Sequence, residues 1–106
     1  FYEHLKEKGS AEFVEELFNK LGKFNRDASQ KVKDEWMANA TAYTFEKYEP
    51  DISFLHLIDV DHQKHVYGSN HFATKDAIKE LDDRLKQMFE KISKVKNLDE
   101  INIYIF

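Results

Sequence analysis

The feature that most constrains the fold is a long helical repeat lying between two short apolar runs. From Thr74 onward, apolar residues recur at steps of three and four for about six turns. These positions are Ile78, Leu81, Leu85, Met88, Ile92 and Val95. Asp76 lies near the start, where a carboxylate complements the positive end of the helix dipole. The spacing therefore predicts an amphipathic helix over residues 74–95.

The two flanking runs, Ile52–Ile58 and Ile101–Phe106, have the composition of buried strands. The first is nearly apolar on both faces, which is typical of a strand covered by helices on both sides. A strand, a helix and a second strand in that order predict a right-handed parallel crossover. We therefore expect an α/β fold, as a fragment of a parallel sheet with two parallel strands and three to four flanking helices. His56, within the first strand, is expected to be buried.

Earlier in the chain, two further helices are predicted. Ser10 is a suitable N-cap for a helix that ends at Gly22. Asp27-Ala28-Ser29-Gln30 is a variant of the capping box and opens a second helix, which must end near Pro50. Phe1–Lys8 has the composition of the tail of another helix.

Composition excludes several classes of protein. With 42% hydrophobic and 34% charged residues, the 106-residue chain has enough apolar material for one packed domain. A net charge of −4 without a basic stripe argues against nucleic-acid binding by bulk charge. The longest apolar run falls far short of the roughly 20 residues that span a bilayer. The absence of cysteine excludes disulfides and leaves the cellular compartment open.

The apolar run at residues 101–106 has no turn or polar tail after it. We therefore expect residues 1–106 to be a single-domain fragment of a longer parent chain. The remainder of that parent chain would be the partner of the fragment. Within the fragment, residues 27–106 carry the strand–helix–strand portion.

A polar, histidine-rich loop is expected over residues 59–71, directly after the first strand. Ligands in open parallel sheets bind at the carboxyl ends of strands, where this loop begins. Four of the five histidines fall within sixteen positions, together with Asp59 and Asp61. Imidazole and carboxylate groups are the ligands that suit zinc and related divalent ions.

Asp61 and His65 are the strongest candidates for metal ligands. Their four-residue spacing places both side chains on one side if the segment is helical. The alternative is that Asp61 is an N-cap or turn residue and His65 a surface histidine. Asp59 is either a hydrogen-bond partner of a ligating imidazole or a cap of the strand end. His62 and His71 either face solvent or contact a metal or phosphate group.

Several segments taken together resemble a known family. They are Trp36 with its alternating alanines, Tyr48-x-Pro50-Asp51, the run 52–58, and Asp61-His62-Gln63-Lys64-His65-x-Tyr67-Gly68-x-Asn70. This order resembles the type I phosphodiesterase/nucleotide pyrophosphatase branch of the alkaline phosphatase superfamily, over roughly residues 30–106. The chain departs from the family pattern at Lys64, where a glycine is common, and at Ser69, where a proline is common.

The resemblance implies a parent hydrolase that cleaves phosphodiester or nucleotide pyrophosphate bonds in small phosphate esters. In such enzymes two divalent ions, usually zinc, assist transfer of the phosphoryl or nucleotidyl group to a Thr or Ser and then to water. The resemblance assigns Asp61 and His65 as ligands of one ion. Asp59, His62 and Asn70 are then candidates for contacts with these ligands or with the substrate. The nucleophile would lie outside this chain, residues 1–26 would be a variable insertion, and an extracytoplasmic location is favoured.

Two other functions fit the same residues. His62, His65, His71 and Asp61 would form a closed structural site in a non-catalytic metal-binding or interaction module. Alternatively, the chain is an α/β scaffold without a site of its own.

Overall fold

The computed structural model describes residues 2–106, apart from the side chain of Tyr2. These residues form five α-helices and one short 3₁₀ turn, Leu98–Glu100. The helices are α1 (Tyr2–Lys8), α2 (Ala11–Leu21), α3 (Gln30–Tyr48), α4 (Asp59–Tyr67) and α5 (Phe72–Ser93). The helix expected over 1–8 is present as α1, and Phe1 lies outside the described residues.

Both predicted ends of α2 and the predicted C-terminal end of α3 are confirmed. The hydroxyl oxygen of Ser10 accepts a hydrogen bond from the backbone N–H of Phe13 at the start of α2. Gly22 ends that helix with a φ of 82°, a conformation that favours glycine. Ser29, and not the capping box predicted from Asp27 to Gln30, caps α3 in the same way as Ser10 caps α2. Helix α3 ends directly before Pro50, as predicted, and its C-cap residue Glu49 is in the left-handed region with a φ of 44°.

The long helix is also confirmed, as α5. It begins at Phe72 and ends at Ser93, within two residues of each predicted boundary. Met88 and Ile92 are buried, whereas Ile78, nearer the N-terminal end, is 53% exposed. The hydrophobic core cluster therefore uses the C-terminal half of α5, while Thr74 and Ala77 are buried nearer its start.

The prediction of a parallel α/β sheet is wrong. Residues 52–58 and 101–106 form no strand, and no sheet occurs anywhere in the part of the chain that the structure describes. Leu55 and Ile101 do pack against the helical core, but Phe54 is 92% exposed. Apolar composition reports a tendency to be buried, whereas a strand also needs a neighbour for its backbone N–H and C=O groups. His56, expected in the interior, is exposed.

The core lies between α3 and α5. Its buried residues are Ala38 and Ala42 on α3 and Met88 and Ile92 on α5. Small alanines allow the two helices to approach closely, and larger side chains cover the edges of the contact. These partly buried residues are Phe45, Leu55, Leu85, Phe89, Leu98 and Ile101.

The opposite face of α3 holds α2 through an aromatic cluster. The Trp36 ring lies 5.1 Å from the Phe18 ring and 5.5 Å from the Phe24 ring, measured between centroids. Its indole N–H donates to the carbonyl oxygen of Gly22 at 2.9 Å. Helix α3 is thus covered on two sides, which makes it the central element of the fold.

None of the helices within residues 2–106 combines the length and the apolar character that a membrane span requires.

Candidate metal centre

Residues 59–67, predicted as part of a loop, form helix α4. Asp59 and Asp61 lie in its first turn and Lys64 lies in its last, so that their charges complement the helix dipole; His65 is also in the last turn. Gly68 ends the helix with a φ of 90°, and its N–H donates to the carbonyl oxygen of Lys64. Glycine and the His-rich composition suggested a loop, but the charge order along the segment supports one short helix.

Asp61 and His65 lie on the exposed side of α4, and their side chains converge. The carboxylate Oδ2 of Asp61 is 3.3 Å from Nε2 of His65. Two ligand atoms about 2.0–2.1 Å from a tetrahedral zinc are about 3.3–3.4 Å apart. The chemistry and separation of this pair therefore fit two neighbouring ligands of such an ion.

Lys64, the departure from the family pattern, does not disturb this geometry. It lies within α4, and Glu49 is the one non-glycine residue among the described residues with a positive φ. A lysine at this helical position carries no backbone strain.

The other predicted residues are placed differently. Asp59 is buried, and its Oδ1 accepts a hydrogen bond from the side-chain amide of Gln63 at 3.1 Å. His62 is exposed on α4, and Asn70 is exposed in the turn between α4 and α5. The roles of Asp59, His62 and Asn70 near ligands or substrate stay predictions.

His71 serves as the N-cap of α5. Its Nδ1 accepts a hydrogen bond from the backbone N–H of Ala73 at 3.1 Å. The imidazole ring stacks on Tyr67 at 4.7 Å and contacts the Phe72 ring at 4.4 Å. His71 was predicted either to face solvent or to contact a metal or phosphate group. In the structure it caps α5 and packs against two aromatic rings.

Within residues 2–106, no three His, Asp or Glu side chains come close enough together to hold a metal ion. In the described residues His62 and His71 are thus not grouped with Asp61 and His65, and the closed site considered above stays a prediction. The described chain brings together two candidate ligands, where a catalytic zinc usually takes three protein ligands and a water.

Sequence reasoning missed Asp34 and Thr74, two buried polar residues that hold α4 at its ends. Oδ2 of Asp34 accepts hydrogen bonds from the backbone N–H groups of Ile58 and Asp59, each at 2.8 Å. The hydroxyl of Thr74 donates to the carbonyl oxygen of Gly68 at 2.8 Å. An aspartate within a helix, beyond its first turn, hints at a partner, but no local pattern connects Asp34 to residues 58 and 59.

The largest electrostatic perturbation lies between α2 and α3. The Glu16 carboxylate accepts hydrogen bonds from the ammonium of Lys47 and from the hydroxyls of Tyr43 and Tyr48. These donors lower the pKa of Glu16 from 4.5 to about 2, the Lys47 hydrogen bond contributing most. The same carboxylate raises the pKa of Lys47 and of both tyrosines. The cluster ties α2 to α3 and takes no part in the Asp61–His65 pair.

The chain matches a known family along nearly its whole length. Residues 3–106 match the family model described as type I phosphodiesterase / nucleotide pyrophosphatase. The chain belongs to this family. No curated protein and no solved structure matches it.

Membership of the type I phosphodiesterase/nucleotide pyrophosphatase family confirms the resemblance read from Asp61 to Asn70 and the sequence around it. The matched region begins at residue 3, so it also includes the segment for which sequence reasoning found no counterpart. The family implies a hydrolase of phosphodiester or pyrophosphate bonds, with phosphate esters as its class of substrate. The assignment of residues 1–26 as a variable insertion stays a prediction.

Proposed function

We propose that this chain supplies two ligands, Asp61 and His65, to one divalent ion in the active site of a phosphodiesterase/nucleotide pyrophosphatase. The observation that carries the proposal is the 3.3 Å separation of Asp61 Oδ2 and His65 Nε2 on an exposed helical face. Family membership supplies the reaction class. The side chains are 67% and 78% exposed, which leaves both open to an ion and to further ligands.

The remaining ligands would come from outside residues 1–106. Two protein ligands do not hold a catalytic zinc, and the described residues contain no third one nearby. We therefore expect this chain by itself to bind metal weakly and to be inactive. The nucleophilic Thr or Ser and the ligands of a second ion would also lie in the longer protein.

Within such a site, the two side chains have separate tasks. The carboxylate of Asp61 adds negative charge, which reduces the net positive charge of the site and allows phosphate to leave as well as enter. The imidazole of His65 binds as the neutral ring and directs one lone pair at the ion. Their positions on one face of α4 set the direction from which the ion is held.

Paired divalent ions, when bound, supply the positive charge that stabilises the attacking and leaving oxygens of an in-line displacement. Nitrogen and oxygen ligands of this kind favour zinc, and we propose zinc for both ions. The reaction we propose transfers a phosphoryl or nucleotidyl group to the Thr or Ser and then to water.

The proposal is tested by replacing His65 in the longer protein. His65→Gln removes one ligand, so zinc affinity at this site should fall by more than about 100-fold, beyond the usual effect of losing a residue that only supports a ligand. Phosphodiester hydrolysis should fall with it. His56→Gln is the matched control, since it alters an exposed histidine that does not lie on α4.

Zinc content and affinity are measured by competition with a chelating dye, alongside the rate of hydrolysis of a chromogenic phosphodiester. If His65→Gln bound zinc and turned over substrate as the control does, the proposed site would be wrong.

A further inference from the structure

The start of α4 has no cap of its own. Its N-cap residue, Ile58, makes no capping hydrogen bond through its side chain. A helix N-terminus leaves backbone N–H groups without partners inside the helix, and they need acceptors when they are buried. Here the N–H groups of Ile58 and Asp59 both donate to Oδ2 of Asp34 on α3. A side chain from another helix therefore replaces the missing local cap.

Asp34 is fixed for this task. It is 2% exposed, and its Oδ1 accepts a hydrogen bond from the side-chain amide of Gln30, one turn earlier on α3, at 3.1 Å. Both carboxylate oxygens are thus occupied, and the residue cannot rotate without losing a buried hydrogen bond. A carboxylate at the N-terminal end of α4 also complements the helix dipole.

Helix α4 depends on such contacts because it is short. Nine residues are fewer than the roughly 12–15 that an isolated helix needs to be even marginally stable in water. Thr74 holds the C-terminal end through Gly68, and Asp34 holds the N-terminal end. Asp61 lies two residues after Asp59, so the contact to Asp34 is the nearer constraint on the first candidate ligand.

We propose that Asp34 is a positioning residue, which orients the Asp61–His65 pair by fixing the N-terminus of α4 to α3. This inference rests on the proposed metal-binding function. Loss of the Asp34 contact lets the first turn of α4 fray and separates Asp61 from His65, although neither ligand is changed. Asp34 itself does not touch the ion.

The experiment compares Asp34→Asn and Asp34→Ala with the unchanged protein. Without metal, amide hydrogen exchange of Ile58 and Asp59 should accelerate by about tenfold or more in Asp34→Ala, since hydrogen bonds to a charged acceptor are lost. Zinc affinity in the longer protein should fall by about tenfold. Asp34→Asn keeps one acceptor oxygen, so its exchange rates and zinc affinity should lie between those of Asp34→Ala and the unchanged protein.

Ile92→Val is the control for a general loss of stability, because it weakens the core at the far end of α5 and leaves the α4 contacts intact. It should leave zinc affinity unchanged. Gln30→Ala is a milder variant that releases Asp34 without removing it, and zinc affinity should fall by about two- to threefold.

Faster exchange at Ile58 and Asp59 with weaker zinc binding supports the inference. Faster exchange with unchanged zinc affinity overturns it and leaves Asp34 as a stabilising residue only, while the metal site itself would stand. Unchanged zinc affinity in His65→Gln would instead reject the proposed function, and that result does not depend on Asp34.

Discussion

Truncation of Ile92 tests whether the contact between α3 and α5 is the principal hydrophobic core of the fold. Ile92 is 2% exposed and lies among Ala38, Ala42 and Met88. Ile92→Ala removes the equivalent of about three methylene groups, which at about 0.8 kcal/mol each gives about 2.4 kcal/mol of lost burial. The cavity left between two helices adds about 1 kcal/mol, for a total loss of about 3.4 kcal/mol.

Urea denaturation followed by circular dichroism measures this change. With a slope of about 2 kcal/mol per molar urea, the midpoint should fall by about 1.7 M. Ile78→Ala is the matched control on the same helix, because Ile78 is 53% exposed and its truncation should cost less than about 1 kcal/mol. If Ile92→Ala leaves too little folded protein, Ile92→Val should still lower the free energy of unfolding by about 1 kcal/mol. Equal losses for Ile92→Ala and Ile78→Ala would refute the assignment of the core.

Three other predictions concern separate parts of the molecule. Because the folded-state pKa of Glu16 is depressed to about 2, its stabilising contribution is complete above pH 4.5 and is lost as the pH falls toward 2. In Glu16→Gln, the midpoint of urea unfolding should therefore depend less on pH between 4.5 and 2. If this pH dependence were unchanged in the variant, the Glu16 cluster would be contradicted. His71→Ala should cost about 1 kcal/mol by removing the cap of α5, whereas His71→Asn should retain most of it; equal losses in thermal unfolding would argue against the cap. Residues 1–106 alone should bind zinc no more tightly than about micromolar and should not cleave phosphodiesters, because they supply two ligands; calorimetry that finds sub-micromolar affinity, together with turnover, would contradict a divided site.

Helices α2, α3 and α5 were predictable because their signals are local. Ser10, Gly22 and Ser29 mark helix ends through hydrogen bonds or backbone conformations that involve only near neighbours. The apolar spacing of α5 is likewise contained in its own sequence. The sheet was wrongly predicted, because residues 52–58 and 101–106 can be apolar without having a strand beside them.

In the candidate site, too, the local features were predictable from the sequence and the long-range contacts were not. The pairing of Asp61 with His65 follows from a four-residue spacing as soon as the segment is helical. The first turn of α4, in contrast, is held by Asp34, which contacts Ile58 and Asp59. These residues follow Asp34 by 24 and 25 positions in the sequence. Such a contact is created by the packing of α3 against α4, so neither segment alone predicts it.

The most direct test of the account is a crystal structure of the metal-loaded longer protein, with anomalous scattering recorded at the zinc absorption edge. The account predicts an anomalous peak about 2.0–2.2 Å from both an Asp61 carboxylate oxygen and His65 Nε2. Zinc bound elsewhere, with the Asp61 and His65 side chains turned away from it, would contradict the central claim.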